Sequence, residues 1–343
     1  MPTVTLLIPA YNEIDFIEAK IKNCASLNYP SDRLEVIFVT DGSTDGTPEY
    51  IQTHSHYKVM HIPTRAGKIA AMNRAMLQVS SDITIFCDAN TTLNKNAIKN
   101  LVNHFANPEV GCVAGEKKVG IESNSQASAT EGIYWKYESF LKKMDSELLS
   151  VVGAAGELFA IRTALYQPMP SDVILDDFVI SLKLAMEGYK VSYEPKAFAF
   201  EKPSSGINEE LKRKIRISAG GIQAIIMLSP LLNMFKYGLL SFQYISHRVL
   251  RWTITPVCLL ILFPLNGLLM NNHGGVYSFL FLMQFLFYAI AYVGWYLQMH
   301  NVKFKVLYVP MYFTMMNYAV FKGIVKFVNG NQSAIWEKSL RMG

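Results

Sequence analysis

Between Trp252 and Val302 the chain carries no aspartate, glutamate, lysine or arginine. No other feature narrows the possible folds as much. Two long apolar runs, residues 252–270 and 276–298, fill this window, separated by Asn271-Asn272-His273-Gly274-Gly275. A bilayer-spanning helix needs about 20 consecutive apolar residues, so each run is long enough to cross. A helix pair buried in a soluble domain would keep a solvated face, and these runs have none. The whole chain leans the same way: 51% of its 343 residues are hydrophobic and 17% are charged, where a soluble domain has about a quarter charged. A fully soluble enzyme, a disordered chain and a polar repeat array are thereby excluded.

The flanks set an orientation. His247, Arg248 and Arg251 precede the first run, Lys303 and Lys305 follow the second, and the connecting turn is uncharged. The positive-inside rule puts both outer ends in the cytoplasm and the turn outside. A third apolar stretch, 306–321, is interrupted by Pro310 and Asn317 and flanked by Lys322 and Lys326. It is expected to form a re-entrant, interfacial or spanning helix over about 306–328. Residues 211–227 mix basic and apolar positions and 228–240 continue with few charges, the pattern of a helix in the headgroup layer or of one packed on a domain. No signal peptide is expected at the N-terminus, because residues 4–8 are too short an apolar core. The net charge of +5 is too small and dispersed to suggest nucleic acid. Cys24, Cys87, Cys112 and Cys258 lie far apart without metal-ligand spacing, which excludes a zinc module or a disulfide scaffold and fits a reducing compartment.

The first two hundred residues read differently. Residues 4–8, 35–39 and 83–87 are β-branched, nearly continuous apolar runs of the kind that form buried parallel strands. Helical patterns over 13–27, 47–53 and 68–79 alternate with them, which predicts an α/β doubly wound sheet. Such sheets bind ligands beyond the carboxyl ends of their strands. Those ends carry Pro9-Ala10-Tyr11-Asn12-Glu13, Thr40-Asp41-Gly42-Ser43-Thr44-Asp45-Gly46 and Asp88-Ala89-Asn90. Each alone is ordinary turn chemistry; three acid-bearing tips in register are not.

Neither GxGxxG nor GxxxxGK[ST] occurs, so the two common phosphate cradles are excluded. Acids at these tips suit a nucleotide whose phosphates are held through a hard cation on Asp88, with Asp41 left for a base or ribose. Arg65, Gly67 and Lys68 would add positive charge at a helix start. Gly153-Ala154-Ala155-Gly156-Glu157 is a small-residue loop before a strand at 158–161. Asp176 and Asp177 then open a helix to about 187. Adjacent acids there either complement the helix dipole or raise one another's pKa and leave one poised as a base.

Together these residues resemble the membrane-bound family 2 glycosyltransferases of GT-A fold, on the processive polysaccharide synthase side. The resemblance rests on Ile8-Pro9-Ala10-Tyr11-Asn12-Glu13, on the segment from Val39 to Thr47, and on Gly67-Lys68 with Asn73. It continues through Asp88-Ala89-Asn90, the Gly153 to Glu157 loop, Asp176-Asp177 and Arg213-Lys214-Ile215-Arg216-Ile217. It implies a GT-A, Rossmann-like mixed-sheet catalytic domain over 1–205, amphipathic or interfacial helices over 206–248, and a membrane region over 249–343. It also implies that Ala10, Glu13, Asp41, Lys68, Asp88, Arg213 and Arg216 contact a nucleotide-sugar donor, with uridine as the default nucleoside. Gly156 and Glu157 fall on the acceptor side. Asp88 and Asn90 stand where the family's DxD binds Mg²⁺ or Mn²⁺, with an amide in place of the second acid. Asp177, next to Asp176, matches the general base of an inverting transfer to a lipid-linked or growing glycan acceptor.

The glutamine and tryptophan of the processive QxxRW pattern are absent at 213 and 217. The expected location is a prokaryotic inner or plasma membrane, catalytic domain in the cytoplasm. Two or three spans are few for an export channel, so a channel would need a further N-terminal helix, an oligomer or an export partner. Two rival readings share these residues: a membrane nucleotidyltransferase or phosphotransferase, and a nucleotide-sugar-binding subunit whose catalysis is impaired at Asn90.

Overall fold

The computed structural model describes residues 1–120, 126–202, 206–300 and 307–330. Lys303, Lys305 and the first residue of the expected third apolar stretch lie outside these. The first half runs β1 (Val4–Ala10), α1 (Ile14–Ala25), β2 (Leu34–Asp41), α2 (Thr47–His54), β3 (Lys58–Ile62), α3 (Lys68–Met76) and β4 (Ile83–Cys87). Then come β5 (Thr91–Leu93), α4 (Ala97–Asn103), β6 (Val110–Val119), α5 (Gln126–Leu148), β7 (Leu158–Arg162), α6 (Asp176–Met186) and β8 (Lys190–Glu201). The strands join one eight-stranded sheet in the order β3-β2-β1-β4-β7-β6-β8-β5.

Three of the four strands read from sequence are its parallel heart: β1 pairs in parallel with both β2 and β4. Beyond β4 the direction changes, because β7 runs antiparallel to β4 and to β6. The sheet is therefore mixed. β1 is buried at every position, and its side chains alternate between two cores. Leu6 and Ile8 face α1 and α2 with Ile17 and Ile51, and Leu7 faces the opposite layer with Ile37, Phe86 and Phe159.

That second core reaches well past the sheet. It takes in Ala224, Leu228 and Leu231, then Leu240, Tyr244 and Trp252, and finally Val320. The helix α7 (Ile207–Met227) supplies the first of these and buries Ser218, Ala219, Gly220 and Gly221. One side of the 207–252 region is thus built into the sheet domain. Large apolar side chains on its other side, among them Ile226, Phe235 and Phe242, stay exposed.

Helices α8 (Ile254–His273) and α9 (Val276–Met299) follow. Their apolar windows have a hydropathy of 1.8 and are only 6% buried, so both are long and apolar enough to cross a membrane. The turn between them is tighter than the sequence suggests. α8 continues through Asn271 and Asn272, and Gly274 and Gly275, at φ 53° and 51°, make the reversal. α10 (Tyr308–Val328) is one continuous helix, which Pro310 and Asn317, the interruptions of the apolar stretch, do not break. Pro310 sits in the first turn, whose N–H groups lack intrahelical partners anyway. Asn317 spends its Nδ2 on the Phe313 carbonyl at 2.8 Å. α10 lies against α7 so closely that a methyl added at Gly323 would stand 2.6 Å from Ser218 Cβ.

Candidate active site

The tips of the parallel strands are stapled together before any ligand is considered. Asn12, the one non-glycine residue with positive φ among those described, accepts from the Thr44 N–H at 2.8 Å, and its own N–H donates to Ser43 Oγ at 3.1 Å. Asp45 accepts from the Ile14 N–H and from Thr47, tying the starts of α1 and α2 to the same turn. Asp41, at the end of β2, is 2% exposed. Its Oδ2 accepts from the N–H groups of Ala66 and Gly67 at 2.9 and 2.6 Å, and Arg74 lies 3.8 Å from Oδ1. It therefore fixes the loop that delivers Lys68. Arg65 stacks on Tyr11, 3.6 Å from the ring centre.

A second support lies under the third tip. The buried Lys20 of α1 donates to the Thr91 carbonyl at 2.9 Å and reaches Cys87 Sγ at 2.8 Å, so it grips both sides of Asp88-Ala89-Asn90. Asn23, one turn along the same face, holds the N–H and the carbonyl of Leu93. Sequence reading misses both residues, although their i, i+3 spacing on an otherwise apolar face of α1 is visible.

Four charged groups meet above this platform. Lys68 Nζ lies 3.0 Å from Asp88 Oδ1 and 3.5 Å from Asp176 Oδ2. Gly156 brings the 153–157 loop against them, since a methyl built there would stand 3.5 Å from Asp177 Cγ and 3.6 Å from Lys68 Nζ. The loop fits because Gly153, at φ 91°, lies where any side chain would strike Phe178. Burial pushes the Asp177 carboxyl up to about 7, and the neighbouring Asp176 adds to the rise while Lys68 opposes it. Burial also raises Asp88, against the pull of Lys68. For Lys68 burial works against the charge, but Asp176, Asp88 and Asp177 outweigh it and hold the ammonium above its ordinary range.

The opposite wall is an ion-pair lattice. Lys117 of β6, completely buried, bonds Glu157 at 2.5 Å and also pairs with Glu201 of β8. Burial would raise the Glu157 carboxyl, but Lys117 and Arg213 hold it well below the usual range. Glu210 of α7 takes both arms of Arg213, at 2.9 and 3.0 Å, and the Tyr312 hydroxyl at 3.1 Å. Arg216 is pulled down by burial and supported by Asp176 and Asp88, and its Nε is a buried donor with no hydrogen-bond partner.

Apart from Lys117 and Glu210, these charged groups line one cavity of about 1110 Å³. Of the residues singled out in the sequence, Glu13, Lys68, Asp88, Asn90, Gly156, Glu157, Asp176, Asp177, Arg213 and Arg216 share it. Ala10 and Asp41 do not line it; both are buried. His247, Arg248 and Arg251, the basic flank before the first apolar run, face α5. His247 lies 3.0 Å from Asp145, Arg248 lies 3.2 Å from Glu138, and Arg251 pairs with the same Glu138.

Among the described residues no three His, Cys, Asp or Glu side chains gather as a self-sufficient metal site. What is present is one carboxylate, Asp88, beside an amide oxygen, Asn90 Oδ1, buried and without a hydrogen-bond partner. A hard divalent ion held by one carboxylate, an amide and substrate phosphates fits that donor set.

Residues 5–168 match the family model described as "Glycosyl transferase family 2". Curated relatives include the poly-beta-1,6-N-acetyl-D-glucosamine synthase of Staphylococcus epidermidis, 24% identical over 80% of this chain and 68% of that protein. The protein of the same description from Staphylococcus aureus is 26% identical over 65% of this chain, which spans about half of that relative, 55%. Among solved structures, a mannosyltransferase from Pyrobaculum calidifontis in complex with GDP-Man and Mn²⁺ superposes with a TM-score of 0.69. It is 24% identical, over 96% of this chain and 88% of that one. Residues 1–349 of Staphylococcus aureus TarS with UDP give 0.50 at 15% identity, over 96% and 92%. At these identities the likeness shows a shared GT-A fold.

Proposed function

From the premise that residues 5–168 are a family 2 glycosyltransferase domain and the chain a glycosyltransferase, we propose that it moves a sugar from a nucleotide-sugar, with inversion, to a lipid-linked or growing glycan acceptor at the cytosolic membrane face. The observation that carries this is the placement of a high-pKa carboxylate, Asp177, beside a cation-bridged Asp88 in one cavity. Asp177 takes the proton of the acceptor hydroxyl as its oxygen attacks the anomeric carbon. The new C–O bond forms on the face opposite the leaving group, the old bond to phosphate breaks, and its electron pair departs with the nucleoside diphosphate. Arg216 and Lys68 offset that growing negative charge. Mg²⁺ or Mn²⁺ on Asp88 and Asn90, when bound, would neutralise the diphosphate further. Glu157 and Glu210, both held ionised by their cations, keep the basic wall rigid.

The acceptor reading is supported by where the cavity leads. It runs from Asp88 to Trp252, Thr255 and Phe313, at the mouth of the apolar helices. The curated relatives are named as polysaccharide synthases. The test is a panel of nucleotide-sugars offered to membranes holding the full chain, with and without Mn²⁺. Release of nucleoside diphosphate from at least one donor is expected. Pyrophosphate release, or donor binding with no turnover for any acceptor, would contradict the reading.

A further inference from the structure

Lys142 of α5 is 4% exposed and lines the cavity. The carboxylates nearest it are already taken. Glu138 is clamped between Arg248 and Arg251, Glu157 belongs to Lys117, and Glu116 accepts the hydroxyls of Ser139 and Tyr193. Among the described residues the Lys142 ammonium makes no hydrogen bond and no ion pair. That ammonium faces the cavity rather than a protein partner, and burial of the side chain disfavours its charge. Arg248, itself a cavity residue, adds a second positive charge close enough to repel it. An anion supplied from outside would relieve both.

The surroundings say what kind of anion. Past Lys142 and Arg248 the cavity wall becomes Trp252, Thr255, Phe313 and Met316, from the start of α8 and the middle of α10. A compact charged end thus opens onto an apolar one that faces the candidate spans. The donor's diphosphate has its own cations, Lys68 and Arg216, near the Asp88 end of the cavity. We propose that Lys142, with Arg248, binds the phosphate of a lipid whose hydrocarbon chain leaves along Trp252 and Phe313, so that the acceptor carries its phosphate into this cavity. Its role as acceptor rests on the reading above; its binding does not.

The test uses the full chain in a neutral detergent, without donor, titrated with farnesyl phosphate, with farnesol and with phosphatidylglycerol. Fluorescence of Trp135 and Trp252, both cavity residues, reports occupancy. Farnesyl phosphate is expected to bind at least about ten-fold more tightly than farnesol, as a charge-assisted hydrogen bond requires. Lys142→Met should abolish that preference and Lys142→Arg should keep most of it. Replacing an unpaired buried charge by an apolar chain of similar length is compatible with folding, and the wild-type comparison alone decides if it is not. A Lys142-dependent response to phosphatidylglycerol equal to that of farnesyl phosphate would support a headgroup as the phosphate source. Its absence would support an isoprenoid carrier. Equal binding of farnesyl phosphate and farnesol to the wild type, or a preference that survives Lys142→Met, would overturn the proposal. Because no sugar is transferred in this measurement, failure of the glycosyltransferase reading would leave its outcome intact.

Discussion

Asp88 and Asp177 both face the cavity, yet Lys68 separates their chemistry: it bridges Asp88 and Asp176 and leaves Asp177 with its carboxyl pushed up to about 7. Two pH effects follow. As a base Asp177 works only when ionised, so kcat/KM should rise with pH through about 7 and level off above it; a flat profile across that range would count against the assignment. The folded pKa exceeds the ordinary carboxylate value, so the group favours folding while protonated, and that contribution is lost as pH rises through about 7. Asp177→Asn should therefore raise the melting temperature at pH about 8 more than at pH about 5. Lys20 allows a different test. Lys20→Met leaves the buried Thr91 carbonyl without its donor and should cost about 1–3 kcal/mol of stability, while weakening Mn²⁺-dependent donor binding. Unchanged metal dependence would show that the 88–90 turn holds without it. The acids at the strand ends were legible because chemistry collects there. The partners of Asp41 and Glu157 were not, since Ala66, Gly67 and Lys117 meet them only through the tertiary fold.

Among the elements, β1, β2 and β4 were readable because burial on both faces leaves their runs nearly continuously apolar, broken only by small threonines and by Glu35 near the exposed start of β2. β6 and β8 carry Glu116-Lys117-Lys118 and Glu194-Pro195-Lys196, and this breaks the period that would reveal them. Of those charges Lys117 builds the ion-pair wall, with Glu157 and with Glu201 at the end of β8. α7 shows the limit of an amphipathic pattern. Its mixed basic and apolar positions allowed a helix in the headgroup layer or one packed on a domain; Lys214 is buried beside Glu210, and Arg213 and Arg216, assigned to the donor by resemblance, line the cavity. Periodicity tells which side of a helix is polar but not what that side meets. The small side of α7 explains its closeness to α10, so Gly323→Leu should destabilise the full chain by about 1–3 kcal/mol through overpacking, read as a lower melting temperature in detergent. An unchanged value would mean that α7 and α10 separate without cost.

For the molecule as a whole, α8 and α9 were the plainest feature of the sequence, and the cavity at their mouth was the least plain, because it is assembled from α5, α6, α7 and α10 at once. If the two helices span the bilayer with the catalytic domain inside, Asn272→Cys should react with an impermeant maleimide on intact cells. Leu77→Cys, on the exposed face of the catalytic domain, should react only after permeabilisation. The reverse pattern would invert the topology. The central claim is that a single cavity holds the donor and the base that activates the acceptor. It is tested most directly by comparing wild type and Asp177→Asn for nucleotide-sugar binding and for sugar transfer in the same membranes. Unchanged donor affinity with transfer reduced by about 10²–10⁴-fold is the expected result. Transfer within a few-fold of wild type, or donor binding lost together with transfer, would contradict it.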